Sequence, residues 1–219
     1  MHISEGVLSA PVIITGAVLS LGGLTLGFRS IKDEDTPKTA ILSAVFFTAS
    51  LIHVNIGPSS AHLILSGLIG LMMGWAAFPV IFFGLLLQGI LFGFGGLTTL
   101  GVNTFTMAAP SALCGILANK WVNGKNLTAA SVAGYICGAV PVLVSACLVG
   151  LALWCSGEED TYLKISWLII LGNLPVVVIE GFVCMFCVQF LRKVRPDLLR
   201  PKSLEKLEPT GDSPIDVAT

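Results

Sequence analysis

The chain has 219 residues, 54% of them hydrophobic and only 11% charged, with a mean hydropathy of +0.89. A soluble domain carries roughly twice that charged fraction, so composition excludes one and indicates a polytopic helical membrane protein. The formal net charge of −1 says little; the placement of the charges says more.

The chain opens Met1-His2-Ile3, and the first basic residue is Arg29. Cleavable signal peptides begin with a basic region, so the start is read as part of the mature protein, and a bulky His2 should disfavour removal of Met1. A free α-amine, the amide nitrogen of His2 and its imidazole can close two fused chelate rings on one divalent cation. Nitrogen-rich planar ligation suits Ni(II), Cu(II) or a constrained Co(II). The plainer reading is a polar residue ahead of the first helix.

The first span is predicted over residues 11–28, followed by a charged turn (Arg29, Lys32, Asp33, Glu34, Asp35, Lys38) in which Pro37 is placed as a helix starter. A second span covers residues 39–54 and a third 62–77. The segment between them contains His53, Asn55, Gly57, Pro58, Ser59, Ser60 and His62 and reads as a turn-rich loop. Residues 79–94 make a fourth span and 105–118 a fifth. The Gly-, Thr- and Asn-rich stretch 93–104 between those two reads as irregular backbone lining a cavity, tolerated in a bilayer only under protein cover. It is not a phosphate loop, because no Gly-Lys-Ser/Thr follows it. A long sixth span covers 127–154 and a seventh 165–191, with Pro175 as a kink position. These spans form one transmembrane domain, residues 1–193, with a polar tail at 194–219.

With seven spans, eleven of the 12 basic residues fall on one side and only Lys164 on the other. The positive-inside rule then puts the N-terminus outside and the C-terminus in the cytoplasm. All three histidines, His2, His53 and His62, share the outer face. Glycine pairs at helix-packing spacing (Gly23/Gly27, Gly70/Gly74, Gly89/Gly93, Gly134/Gly138) predict a compact bundle. Glu180 is the one carboxylate deep inside a span. Intramembrane acids mark function or pairing, and three roles are open to it: transport, helix packing or metal ligation. Cys184 and Cys187 have the spacing of a redox or metal pair, but they lie in an apolar helix without a second pair, and buried cysteine acts as a small hydrophobe.

Met1-His2-Ile3-Ser4-Glu5-Gly6, the Gly57-to-His62 loop with Leu65-Ser66-Gly67-Leu68-Ile69-Gly70, the Gly95-to-Asn103 run ending at Thr104, and Pro175 to Gly181 together resemble the CbiM family, with its close relative NikM. The resemblance covers most of residues 1 to about 190. It implies the membrane subunit that captures substrate for an energy-coupling-factor (ECF) ABC transporter of cobalt or nickel, built as an all-α, seven-helix S-component-like bundle with the N-terminus inserted into the core from outside. It implies metal ligands Met1, His2 and His62. Many relatives follow the loop histidine with Pro-Thr-Gly, whereas here Leu63 and Ile64 follow. His53 is a rival ligand or a partner of the ligands, and Asn55, Ser59, Ser60 and Asn103 are candidates to accept the imidazoles' second N–H.

The resemblance further implies import of Co(II) for cobalamin biosynthesis, with Ni(II) as the alternative, in a prokaryotic cytoplasmic membrane. The chain has no nucleotide-binding loop of its own. ATP-binding subunits, a coupling membrane subunit and a small accessory membrane subunit are therefore the expected partners, and neither a cofactor nor nucleic acid is expected. Two other classes are weaker. A membrane metalloenzyme would need a general base, for which Glu5 is the nearest acid, and no His-Glu-x-x-His occurs. A vitamin-binding S component would not need the nitrogen cluster.

Overall fold

The computed structural model describes residues 3–51, 53–56, 59–157 and 160–199, with backbone alone at 53–56, 59–62 and 160–166. The helices are α1 (Ala10–Ser30), α2 (Thr36–Leu51), α3 (Ser66–Met73), α4 (Ala77–Phe92), α5 (Leu100–Val122), α6 (Leu127–Trp154) and α7 (Asp160–Val194). Two short strands, β1 (His53–Ile56) and β2 (Ser59–His62), form an antiparallel hairpin between α2 and α3. Among the described residues, five stretches are long and apolar enough to cross a membrane: Ala10–Ser30, Ser66–Phe92, Leu100–Val122, Leu127–Trp154 and Trp167–Val194. Apolar side chains such as Ile14, Leu117, Trp167 and Phe190 are exposed on the outside of the bundle, where lipid is the natural solvent.

Most elements follow from local signals. Pro11 sits in the first turn of α1, where its missing N–H costs nothing. Asn126 caps α6 by accepting from the amides of Thr128 (2.9 Å) and Ala129 (3.3 Å). Gly93, at φ +67°, ends α4 in the left-handed conformation. The prolines inside helices free carbonyls that other helices then use. Pro110 leaves the Thr106 carbonyl without its helical donor, and Ser145 Oγ of α6 donates to it at 2.7 Å. Pro141 does the same for the Cys137 carbonyl, which packs directly on Gly67 of α3.

Three readings of the sequence are corrected. Residues 62–77 do not form one full-length helix in this otherwise helical bundle: His62 ends β2 of the short hairpin, residues 63–65 are irregular, and α3 is only Ser66–Met73. Apolar periodicity cannot distinguish a strand plus a half-helix from one span. Asn103 and Thr104 lie inside the first turns of α5, which begins at Leu100 rather than at Phe105. Gly74 and Gly93 are turn residues rather than packing residues: Gly74 breaks the chain after α3 with φ +55°, and a Cβ on Gly93 would meet nothing. Gly23, Gly27, Gly70, Gly134 and Gly138 do sit at close helix contacts.

α3 is enclosed by the bundle. Its Gly70 lies against the Ser111 backbone of α5, Gly115 of α5 lies against Gly70 in return, and Gly67 touches Cys137 of α6. A 78% share of the Ser66–Phe92 window is buried, against 28% for the windows of α1 and of α7. The end of α3 at Met72 accepts from Lys38 Nζ at 3.0 Å. Its start bonds Glu180, which precedes Arg192 on α7 by 12 residues, about 18 Å of helix. α3 thus rises only partway through the bundle from the end that carries Lys38 and Arg192. The chain folds back at Gly74–Ala76, beside Gly27 of α1, and α4 runs the other way to Gln88, which bonds Ser50 at the far end of α2 (2.7 Å).

The Lys38 end collects positive charge at helix C-termini. Arg192 donates to the carbonyls of Val122 and Gly124, 2.7 Å each, at the end of α5, and Lys38 also reaches the Leu198 carbonyl (3.2 Å). Cations stabilise helix C-termini, so Lys38 and Arg192 complement the ends of α3 and α5. The short turn Pro196–Leu199 folds back here: Leu199 is buried, and its carbonyl accepts from Asn119 (3.2 Å) and Asn123 (3.1 Å). The hydrogen-bonded Arg195 beside it holds the exposed Asp197 carboxyl below the usual carboxylate range. Residues 200–219 of the expected tail lie outside the described residues.

Candidate metal centre

The opposite end of the bundle holds the start of the chain. Ile3 is buried, and three side-chain bonds fix its backbone. Its N–H donates to Asn103 Oδ1 (3.1 Å), and its carbonyl accepts from Asn103 Nδ2 (3.2 Å) and Thr99 Oγ1 (2.9 Å). Asn103 therefore acts as a two-point clamp, presenting donor and acceptor from one amide. A further bond of Asn103 to Thr99 Oγ1 (3.3 Å) ties the clamp to the start of α5. Ile3 and Leu8 pack with Val102, Val149 and Leu153 in a small apolar cluster of their own, and Ser9 meets Ser156 at 3.5 Å. The N-terminal segment is thus packed into the bundle between α5 and α6.

Glu5 is exposed, and its carboxylate accepts from the Thr98 amide at 3.3 Å. The Glu5 side chain lies close against Gly96. The Thr-Asn-Gly run that reads as a bare loop is therefore the seat of the N-terminal segment. Both functional ends of the Asn103 amide are used on Ile3, so its observed work is anchoring.

Met1 and His2 lie outside the described residues. The hairpin register sets His53 directly opposite His62, with Asn55 opposite Ser60 and Ile56 opposite Ser59; the side chains of these residues are outside the described set. Among the described residues no group of three His, Cys, Asp or Glu converges on one point. Cys184 is buried, Cys187 half-buried, and both are free thiols, in keeping with packing.

Glu180 is completely buried on α7. Its carboxylate accepts from the backbone amides of Ile64 and Leu65, the latter at 3.0 and 3.1 Å to its two oxygens. Those amides lie immediately after β2 and His62. Of the three roles open to it from sequence, the contacts observed are to backbone. Two residues not singled out by sequence also stand out. Gln88 Oε1 and Thr104 Oγ1 are buried oxygens without a hydrogen-bond partner among the described residues. Buried polar atoms are nearly always paired. A polar residue inside an apolar run was the available signal, and Gln88 carried it. An apolar groove of about 560 Å³ between α5 and α6, lined by Leu117, Trp121, Val132 and Ile136, opens beside Asn126 at the other end of the bundle from the Ile3 clamp.

Comparison with known proteins agrees with this architecture. Residues 2–198 match the profile of the CbiM family, described as cobalt uptake substrate-specific transmembrane region. A "putative metal transport protein" of Haemophilus influenzae is 36% identical over 200 residues, covering 91% of this chain and 97% of that one. The cobalt transport protein CbiM of Sorangium cellulosum is 27% identical, with 95% and 99% covered. A putative fused nickel transport protein NikMN of Archaeoglobus fulgidus is 26% identical, with 93% and 69% covered. Two crystal structures of a transition metal transporter share the fold. One superposes with a TM-score of 0.69 at 23% identity (95% and 100% covered); the other, a truncated form, gives 0.68 at 24% (88% and 99%). With a match across nearly its whole length, this chain belongs to the CbiM family.

Proposed function

We propose that the chain is the substrate-binding membrane subunit of an ECF-type ABC importer for Co(II), with Ni(II) as the alternative ion. In this reading the bundle makes seven crossings of a prokaryotic cytoplasmic membrane, with the N-terminus outside and the C-terminus inside. The metal, which is cargo and not a resident cofactor, is captured at the outer face by the α-amine of Met1, the amide and imidazole of His2, and His62. ATP hydrolysis and inward release fall to ATP-binding subunits and a coupling membrane subunit, with a small accessory membrane subunit as a third class of partner, and the imported cobalt serves cobalamin synthesis.

The observation that carries this reading is the clamp on Ile3. Two residues of chain span at most about 7 Å, so a clamp at Ile3 confines the α-amine to the neighbourhood of the buried Asn103–Thr99 seat. A polar amine and imidazole brought into an apolar bundle need a partner there, and a divalent cation supplies one. The α-amine and His have reference pKa values of about 7.7–8.0 and 6.5. Both must be unprotonated to bind metal, so affinity falls as pH drops through that range. The required loss of the His2 amide proton favours Ni(II) or constrained Co(II) over Mg(II) and Zn(II). Gln88 Oε1, buried and without a hydrogen-bond partner among the described residues, is a candidate acceptor for a ligand imidazole beside Asn55, Ser59 and Ser60.

The test is calorimetry and element analysis on protein with its native N-terminus. Co(II) or Ni(II) binds stoichiometrically, more weakly at pH 6 than at pH 8. Acetylating the α-amine, or adding residues ahead of Met1, lowers affinity about 100-fold or more, roughly 3 kcal/mol. Unchanged binding after either treatment overturns the amine-ligand arrangement. Tight binding of a vitamin after chelation, or hydrolytic activity lost in His62→Ala, would favour the other two classes.

A further inference from the structure

We propose that Glu180 is a positioning residue for the metal site: through the amides of Ile64 and Leu65 it fixes the backbone that presents His62. The inference rests on the functional reading above and adds a residue on a different helix to the machinery of that site.

Three observations converge on it. First, the carboxylate is fully buried, and its bonds go to two consecutive backbone amides. Ile64 and Leu65 are the second and third residues after His62, with only Leu63 between the ligand and the first bond.

Second, Leu65 has φ +55°, the one non-glycine residue with positive φ among the described residues. A left-handed leucine is strained and persists only where the surroundings over-determine it. Here they do. The carboxylate holds its amide on one side, and on the other α3 is wedged by Gly67 against Cys137 and by Gly70 against Ser111. The chain between β2 and α3 is thus fixed at both ends.

Third, the platform under the carboxylate is rigid. The carbonyl of Glu180 lies against Gly138 of α6, and Gly181 lies against the Tyr135 ring. Neither glycine has room for a Cβ, so α6 and α7 approach closely at the very turn that carries the acid.

The energetics discriminate between this role and packing alone. An acid inside a membrane bundle is costly, and a buried charged group is often replaced by an apolar residue of similar volume without loss of stability. An apolar residue cannot accept from two amides. What Glu180 supplies that leucine would not is geometric control of residues 64 and 65, and hence of the strand ending at His62.

The test pairs Glu180→Leu, which keeps volume and removes the acceptor, with Glu180→Gln, which keeps an amide oxygen for the same donors. Metal affinity is titrated on protein with its native N-terminus, alongside thermal melting. Ligand-supporting groups typically contribute 10–100-fold to metal affinity. Glu180→Leu is expected to lose about 10-fold or more, and Glu180→Gln to recover most of that loss. A group that only steadied α3 would shift the melting temperature of Glu180→Leu and leave affinity alone, and that result overturns the inference. Should Glu180→Leu not fold, hydrogen exchange on the wild-type protein decides. Metal must slow exchange of the Ile64 and Leu65 amides, and unchanged exchange overturns the inference as well. A wild-type chain that binds neither Co(II) nor Ni(II) defeats the functional reading itself. A wild-type chain that binds, beside a folded Glu180→Leu that binds equally, defeats this inference alone.

Discussion

The two ends of the bundle use polar side chains in opposite senses. At one end Lys38, Arg192, Asn119 and Asn123 donate to carbonyls left open where helices stop. At the other, Asn103 and Thr99 grip the backbone of a segment that is not a helix at all. Both kinds of bond satisfy buried backbone, but only the second spends side chains on bringing the chain start into the core. The first is what a membrane helix terminus needs in any fold. The second is spent on one particular segment, the stretch around Ile3 that packs against α5 and α6. Between the ends stands α3, held by Glu180 at its start and by Lys38 at its finish.

Substitutions at these places separate the two senses. The largest effect is expected at the element both ends share. Gly70→Val would drive a branched side chain into the Ser111 backbone of α5. With backbone on the other side there is nothing to yield, so a loss of about 4 kcal/mol or more is expected, in the range reserved for severe core defects. Reduced folded yield and a lowered melting temperature in detergent would show it; a normal melt would mean that α3 is less tightly held than its contacts indicate. Asn103→Ala comes next. It leaves the buried N–H and carbonyl of Ile3 short of partners, at about 1–3 kcal/mol, and it is expected to weaken metal binding about 10-fold. Calorimetry that found affinity intact would reduce the clamp to a structural bond and erase the contrast between the ends. Arg192→Ala is the smallest, about 1 kcal/mol of stability from the lost cap on α5, with metal affinity unchanged. A metal effect as large as that of Asn103→Ala would show that the ends are coupled rather than separate.

Much of this was open to a reader of the sequence, for identifiable reasons. The sixth helix was legible to the residue, Leu127 to Trp154, because Asn126 caps it and polar residues bound an unbroken apolar run. Basic residues pointed to one end of the bundle, and the structure gathers Lys38, Arg192 and Arg195 there. The family was legible from motif residues in order. The start of α5 was not, because Gly, Thr and Asn favour loops, whereas α5 begins at Leu100 with Thr99 and Asn103 bonded to the Ile3 backbone. The hairpin was not, because nothing local distinguishes a strand followed by a half-helix from a span.

An apolar composition, one deep acid, three histidines and the Met1-His2-Ile3 motif are enough to name the solvent, the class and the chemistry on offer. Those follow from residue type and order. What the polar groups hold depends on packing. Asn103 finds Ile3 across 100 residues of chain and Glu180 finds Ile64 across 116. Pairings at that separation leave no local trace, since a buried donor takes its acceptor from whichever helix packing brings within 3 Å.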